Sequence, residues 1–186
     1  MRVESEIVIT PEAVVLNGEH VAVQETGDKM LVELYRHYVG AYPKFFKMDT
    51  LCRLGFIAAE MVLKSTDRFT DGIQNTECAI ILANRSASIQ NDTDYLTTIS
   101  DGNYYPSPAL FVYTLPNIVT GEIAIRHHLQ GETAFYVLDK PEELEPILLS
   151  TLNDKNTPVL AGWCECSGPN MFYAKIQLIW NNLSNN

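Results

Sequence analysis

No apolar run in this chain approaches the roughly 20 residues that a helix needs to cross a bilayer. Basic residues are also scarce: 13 Lys and Arg stand against 23 Asp and Glu, a formal net charge of −10. An acidic chain attracts neither nucleic acid nor an anionic membrane surface, so both are excluded as expected partners. Docking of another acidic protein needs a local basic patch, and the run Arg126-His127-His128 is the visible one. The four cysteines (Cys52, Cys78, Cys164, Cys166) lack the spacing of a disulfide framework or a zinc site. There is no Gly-rich phosphate loop, G-x-S-x-G elbow or metal-ligand cluster, so neither cofactor nor metal is expected. The opening MRVESEIVITPEAVVL has no charged-then-apolar leader and no cleavage signature. The expectation is a cytoplasmic protein with reduced thiols, in which the sequons at Asn84, Asn91 and Asn182 carry no weight.

What is present describes one ordered domain. At 186 residues, 46% hydrophobic and 19% charged, the chain can bury about two-thirds of its unfolded surface. Residues 3–10 read as a strand, and residues 14–23 as a hairpin turning at Asn17-Gly18. A helix is expected over Asp28–Tyr38, and a clearer one, capped by Asp49, runs to Lys64 with apolar residues at helical spacing. Glu77–Leu82 reads as a buried strand. Residues 84–103 are polar and turn-rich, with one helical turn over Tyr95–Ile99.

Pro106 and Pro108 set an extended entry to a helix from Pro116 to Leu129, stopped by Gly131. Gly121 and Ala124 read as small residues that let this helix approach the sheet. Thr133–Leu138 is a strand. Asp139 and Glu142 have capping-box spacing before a helix over Glu142–Leu152. Strands at Val159–Cys166 and Met171–Trp180, joined by a Gly168-Pro169 turn, precede a frayed tail, residues 181–186. The alternation implies an α/β fold: a five-stranded, mostly parallel sheet with an antiparallel last strand and helices on both faces.

Three segments carry a family resemblance. They are MDTLCRLGFIAAEMVLK (48–64), PSPALFVYTLPNIVTGEIAIRHHLQGET (106–133) and TPVLAGWCECSG (157–168). They resemble the early helix, the helix and turn before the nucleophile strand, and a late strand of the β-ketoacyl synthases, of the thiolase-like superfamily. The likeness spans nearly the whole chain but only the N-terminal half of such an enzyme, as one thiolase-like half-fold. It implies 3-oxoacyl-ACP synthase-like chemistry in fatty-acid, polyketide or aryl-polyene type biosynthesis.

In that family the first half supplies a cysteine nucleophile whose thiolate is favoured at a helix N-terminus. The corresponding position falls near Lys140, which cannot form a thioester. Chain-length-factor subunits also lack that cysteine. The expected function is therefore a non-catalytic accessory or chain-length-factor-like subunit. A partner-completed synthase and an acyl-binding module are the alternatives.

The resemblance implies partners: a homo-oligomer or a full-length ketosynthase, with acyl carrier protein as a further one. It places Thr133, Ala134, Phe135, Tyr136, Val137 and Leu138 on a sheet edge that pairs across a dimer axis, the other reading being an edge covered by a loop. A half-fold would also leave exposed the face meant for its twin, which favours an oligomer. Asn117 and Gly121 are further binding or interface candidates, Asn117 as a wall of an acyl tunnel. Cys164 and Cys166, two apart in a strand, share one face and read as buried structural thiols in preference to a redox or metal pair. His127 and His128 read as helix C-terminal residues facing carbonyls rather than as catalytic bases. His20 and His37 read as surface residues.

Overall fold

A computed structural model describes residues 1–66, 77–102, 105–152, 157–168 and 170–181. Asn103, Tyr104, the Pro169 half of the expected turn and the tail from Asn182 lie outside them. Seven strands form one sheet: β1 (Arg2–Ile9), β2 (Val14–Leu16), β3 (Glu19–Val21), β4 (Ala79–Asn84), β5 (Thr133–Val137), β6 (Val159–Gly168) and β7 (Met171–Trp180). Their order is β3-β2-β1-β7-β6-β4-β5. The five expected strands are thus joined by the two arms of the Asn17-Gly18 hairpin. Asn17 and Gly18 both hold positive φ there, as a tight two-residue turn demands.

Strands β4, β5 and β6 are mutually parallel in register, and β7 is antiparallel to both β6 and β1. Four of the five central strands therefore run one way and β7 the other. The hairpin adds two more antiparallel pairs, so four of the six pairings are antiparallel and the sheet is mixed, not mostly parallel as expected.

One face of the sheet is covered by α2 (Thr50–Lys64) and α5 (Ile118–His127), with α1 (Gly27–Leu34) beside them. Asp49 caps α2 by accepting the Cys52 N–H at 2.9 Å. Twelve of the fifteen α2 residues are buried, which makes it the central helix of the larger core. The opposite face carries α6 (Leu144–Leu152), packed on Ile81, Val159, Ala161 and Trp163. Between β4 and α5 lie α3 (Ile89–Leu96) and α4 (Pro108–Val112), so the single expected turn near Tyr95 is a full short helix.

Three local expectations change. The α5 helix ends at His128, which adopts a left-handed conformation (φ 54°), and not at Gly131. Gly131 is needed for space instead: a Cβ there would stand 2.4 Å from the Glu77 carbonyl oxygen. The capping box at Asp139 is replaced by Glu143, whose carboxylate accepts the Asp139 N–H at 3.1 Å. A 3₁₀ turn over Pro141–Glu143 then leads into α6.

The close approach of helix to core also comes from a different glycine. A Cβ on Gly121 meets nothing within 4 Å, whereas one on Gly55 of α2 would lie 2.5 Å from Val119 of α5 and 3.4 Å from the Cys164 sulfur. Gly121→Ala is therefore expected to stabilise the protein by about 0.5–1 kcal/mol through helix propensity. Gly55→Ala is expected to destabilise it by about 1–3 kcal/mol by overpacking. Paired urea unfolding of the two variants checks the contrast; equal effects would contradict it.

Candidate functional site

The carboxyl ends of β4, β5 and β6 lie together at one end of the sheet, where α/β folds place their ligands. After β5 the chain passes through Asp139, Lys140 and Pro141 into the 3₁₀ turn and α6. Lys140 is exposed, with an extended backbone (φ −143°, ψ 147°) and no side-chain capping bond. A lysine at this position brings a positive charge to the start of a helix, where the dipole favours the opposite sign.

The thiols lie elsewhere. Cys52, Cys164 and Cys166 belong to the core on the α2 side, and Cys78 to the start of β4; all four are free and buried. Burial pushes the Cys78 thiol up to about 12 and Cys166 to about 11, and holds Cys52 and Cys164 well above the usual range. Such thiols are inert as nucleophiles. Cys164 and Cys166 share one face, as their spacing predicts.

Across the sheet from α2, a groove of about 290 Å³ lies between α6 and strands β6 and β7, floored by Leu144, Leu148, Trp163, Tyr173 and Ile179. Lys175 and Glu145 stand along it.

Strand β5 forms one edge of the sheet. The Glu132 carbonyl accepts from Ile80, and Leu138 donates its N–H to Asn84. Backbone groups alternate sides along a strand, so Ala134 and Tyr136 also face β4. Thr133, Phe135 and Val137 turn their N–H and C=O groups to the open edge. Ala134 and Tyr136 pack on the α6 side, while Phe135 packs toward the α2 side. Val137 is 56% exposed, and Leu138 packs against the α6-side core. Asn117 is exposed at the start of α5, in line with Gly121 and with Ile125, itself 61% exposed. That line forms the outward side of α5.

The pair His127 and His128 separates. His128 is exposed in the left-handed cap, while His127 Nε2 stands 3.0 Å from the carboxylate of Glu60 on α2. Glu60 is fully buried and also receives Arg126 at 3.0 Å and Lys64 at 2.8 Å. Burial opposes its ionisation, but the converging His127, Arg126 and Lys64 side chains, with Arg126 donating to both carboxylate oxygens, outweigh that and hold the carboxyl well below the usual range. Nearby, Glu122 of α5 pairs with Lys44 and accepts the Tyr42 hydroxyl at 2.9 Å, and the Arg126 guanidinium lies over the Tyr42 ring. The Glu60 network ties α5 to α2, and the Glu122 network ties α5 to the segment just before α2. The sequence signal for the first was an acid inside an otherwise apolar helical run, FIAAEMVL, with Lys64 four residues on.

At the other end of α2, burial raises the Asp49 carboxyl to about 6 against the pull of its capping bond to Cys52. His20 and His37 are exposed. No helix among the described residues is long and apolar enough to cross a membrane.

The sequence matches no protein-family model and no curated relative. In structure it is similar to a chain of the ketosynthase ApeO in complex with its chain length factor ApeC from Xenorhabdus doucetiae. That similarity has a TM-score of 0.62 at 12% identity, over 97% of this chain and 79% of that one. It is similar also to a chain of the ishigamide ketosynthase/chain length factor, with a TM-score of 0.66 at 16% identity. There 98% of this chain aligns with 62% of that one, so it spans less than two-thirds of that neighbour. Likeness at these identities speaks for the fold alone, and the fold is the ketosynthase-like, thiolase-type one.

Proposed function

We propose that this chain is an accessory subunit of chain-length-factor type, which associates with a ketosynthase in polyketide-like or fatty-acid-like assembly and has no condensing nucleophile of its own. One observation carries the reading. The turn from β5 toward α6, where a condensing enzyme of this fold would present its thiolate, holds Asp139, Lys140 and Pro141. All four thiols are buried elsewhere with their protons held tightly.

An exposed amine there cannot carry an acyl thioester. What remains is a surface for association. Among the described residues the outer edge of β5 is unpaired and Val137 is exposed, a liability unless another strand covers it. Both structural neighbours come from ketosynthase and chain length factor assemblies, which supports the same reading.

The test is recovery of the tagged chain from its native cells, with partners identified by mass spectrometry. Recovery of a ketosynthase at one-to-one stoichiometry is expected. Recovery of the chain alone would sink the proposal, and the apolar groove beside α6 would then be tested for acyl binding.

A further inference from the structure

The first turn of α2 lies against the second half of β6, where the Leu51 carbonyl stands 3.9 Å from the Cys164 sulfur. Helix α3 begins shortly after the end of β4. Both therefore sit at the carboxyl end of the parallel strands, where α/β folds take up ligands. Between them is a pocket of about 180 Å³. Asp49 enters it from the start of α2, and Asn91 and Asp94 from α3.

Asn91 is 1% exposed, yet its Oδ1 has no hydrogen-bond partner among the described residues. The orientation of the amide is set from its other side, because Nδ2 donates to the Leu110 carbonyl at 2.8 Å. Turning the amide over would sacrifice that bond. A buried acceptor left unpaired is costly, so a lone pair held toward a pocket marks the place of a donor.

The surrounding groups ask for the same chemistry. Asp49 accepts the Cys52 N–H and so already fills the end of α2 that would otherwise draw an anion. Asp94 is exposed, with one oxygen accepting from Gln90. Burial raises the Asp49 carboxyl, and the charge of Asp94 raises it further, so a cation near both relieves both. Arg53 does not serve as that cation. Its guanidinium donates to Asp28 at 3.0 Å and to the Phe45 and Phe46 carbonyls at 3.3 Å. Lys47 lines the pocket but is exposed. No group of three or more His, Cys, Asp or Glu among the described residues could hold a metal ion, which points to an organic cation. Met48, Leu110 and Tyr113 supply an apolar wall beside the acceptors.

We propose that this pocket binds a small primary alkylammonium. Its three N–H donors meet Asp49, Asp94 and the Asn91 Oδ1, and its short stem lies on Met48, Leu110 and Tyr113. The site is separate from the accessory-subunit reading: it needs no partner, and either can fail without the other.

The test is an amide NMR titration of the isotope-labelled chain with n-butylammonium chloride. Parallel titrations use tetramethylammonium chloride, which has the charge but no N–H, and sodium butyrate, which has a similar stem and the opposite charge. Saturable shifts at the Asn91 side-chain amide and the Cys52 backbone amide are expected with butylammonium alone. Asn91→Ala and Asp94→Asn are each expected to weaken that binding by about tenfold in Kd. Asp94 is exposed, so Asp94→Asn keeps the fold and decides the matter if Asn91→Ala is unstable. Absence of a saturable shift with butylammonium overturns the proposal, since water alone then serves the Asn91 oxygen. An equal response to tetramethylammonium, a response to butyrate instead, or unchanged affinity in Asp94→Asn overturns it too.

Discussion

Replacing Glu60 with alanine is expected to destabilise the fold by about 3–5 kcal/mol, the range found when one partner of a buried charge network is removed. The carboxylate is fully buried, and Arg126, His127 and Lys64 all converge on it. Its loss leaves cationic groups at the α2–α5 contact without a counter-charge and opens a gap beside them. Glu60→Gln keeps the volume and loses only the charge, so a smaller loss is expected. Urea unfolding compares the two.

The acid limb supplies a second readout. The folded carboxyl is held well below its ordinary value, so its contribution is complete above the unfolded range, near pH 4.3, and disappears as pH falls through the folded value. Stability of the native protein should fall with acid below about pH 4.5 more steeply than that of Glu60→Gln. Parallel acid limbs would mean that the network contributes packing and no charge stabilisation.

Much of the fold could be read from residue patterns, and the misses have local causes. Asp49 before an apolar helical repeat fixed α2, and Asn17-Gly18 fixed the hairpin, because each is a residue type that a specific backbone geometry requires. The strand count fell short because periodicity finds the hairpin arms but does not say which sheet they join. The helix end moved from Gly131 to His128 because a non-glycine residue can hold the left-handed cap when the turn is otherwise satisfied, here by Leu129 donating to Ala124. Gly121 was read as a packing glycine when it faces outward, since a helical repeat of small residues gives spacing but not direction. The β5 segment was placed at an edge by resemblance, and the sheet order puts it there. Which of its residues face outward needed the β4 ladder. The Glu60 network needed the tertiary structure as well, because Arg126 and His127 lie 66 and 67 residues away in sequence.

Val137→Pro is expected to weaken partner binding by about 10- to 100-fold in Kd while leaving the fold intact. The residue sits on the edge strand with its N–H turned away from β4, the one strand setting in which proline removes no ladder hydrogen bond. Its side chain is 56% exposed, so the change costs little packing. Tyr136 before it is already extended, as a residue preceding proline prefers.

The neighbouring substitution is the control. Tyr136→Pro would remove an N–H that faces β4 and lower stability directly, so the two variants should divide cleanly. One loses association with an unchanged thermal midpoint, and the other loses stability. An added strand must take hydrogen bonds from Thr133, Phe135 and Val137, and a pyrrolidine ring at the last of these both deletes a donor and fills the space of the incoming backbone. Unchanged association of Val137→Pro would therefore show that the partner sits elsewhere, whatever it is. Equal destabilisation of both variants would show that the outward assignment of Val137 is wrong.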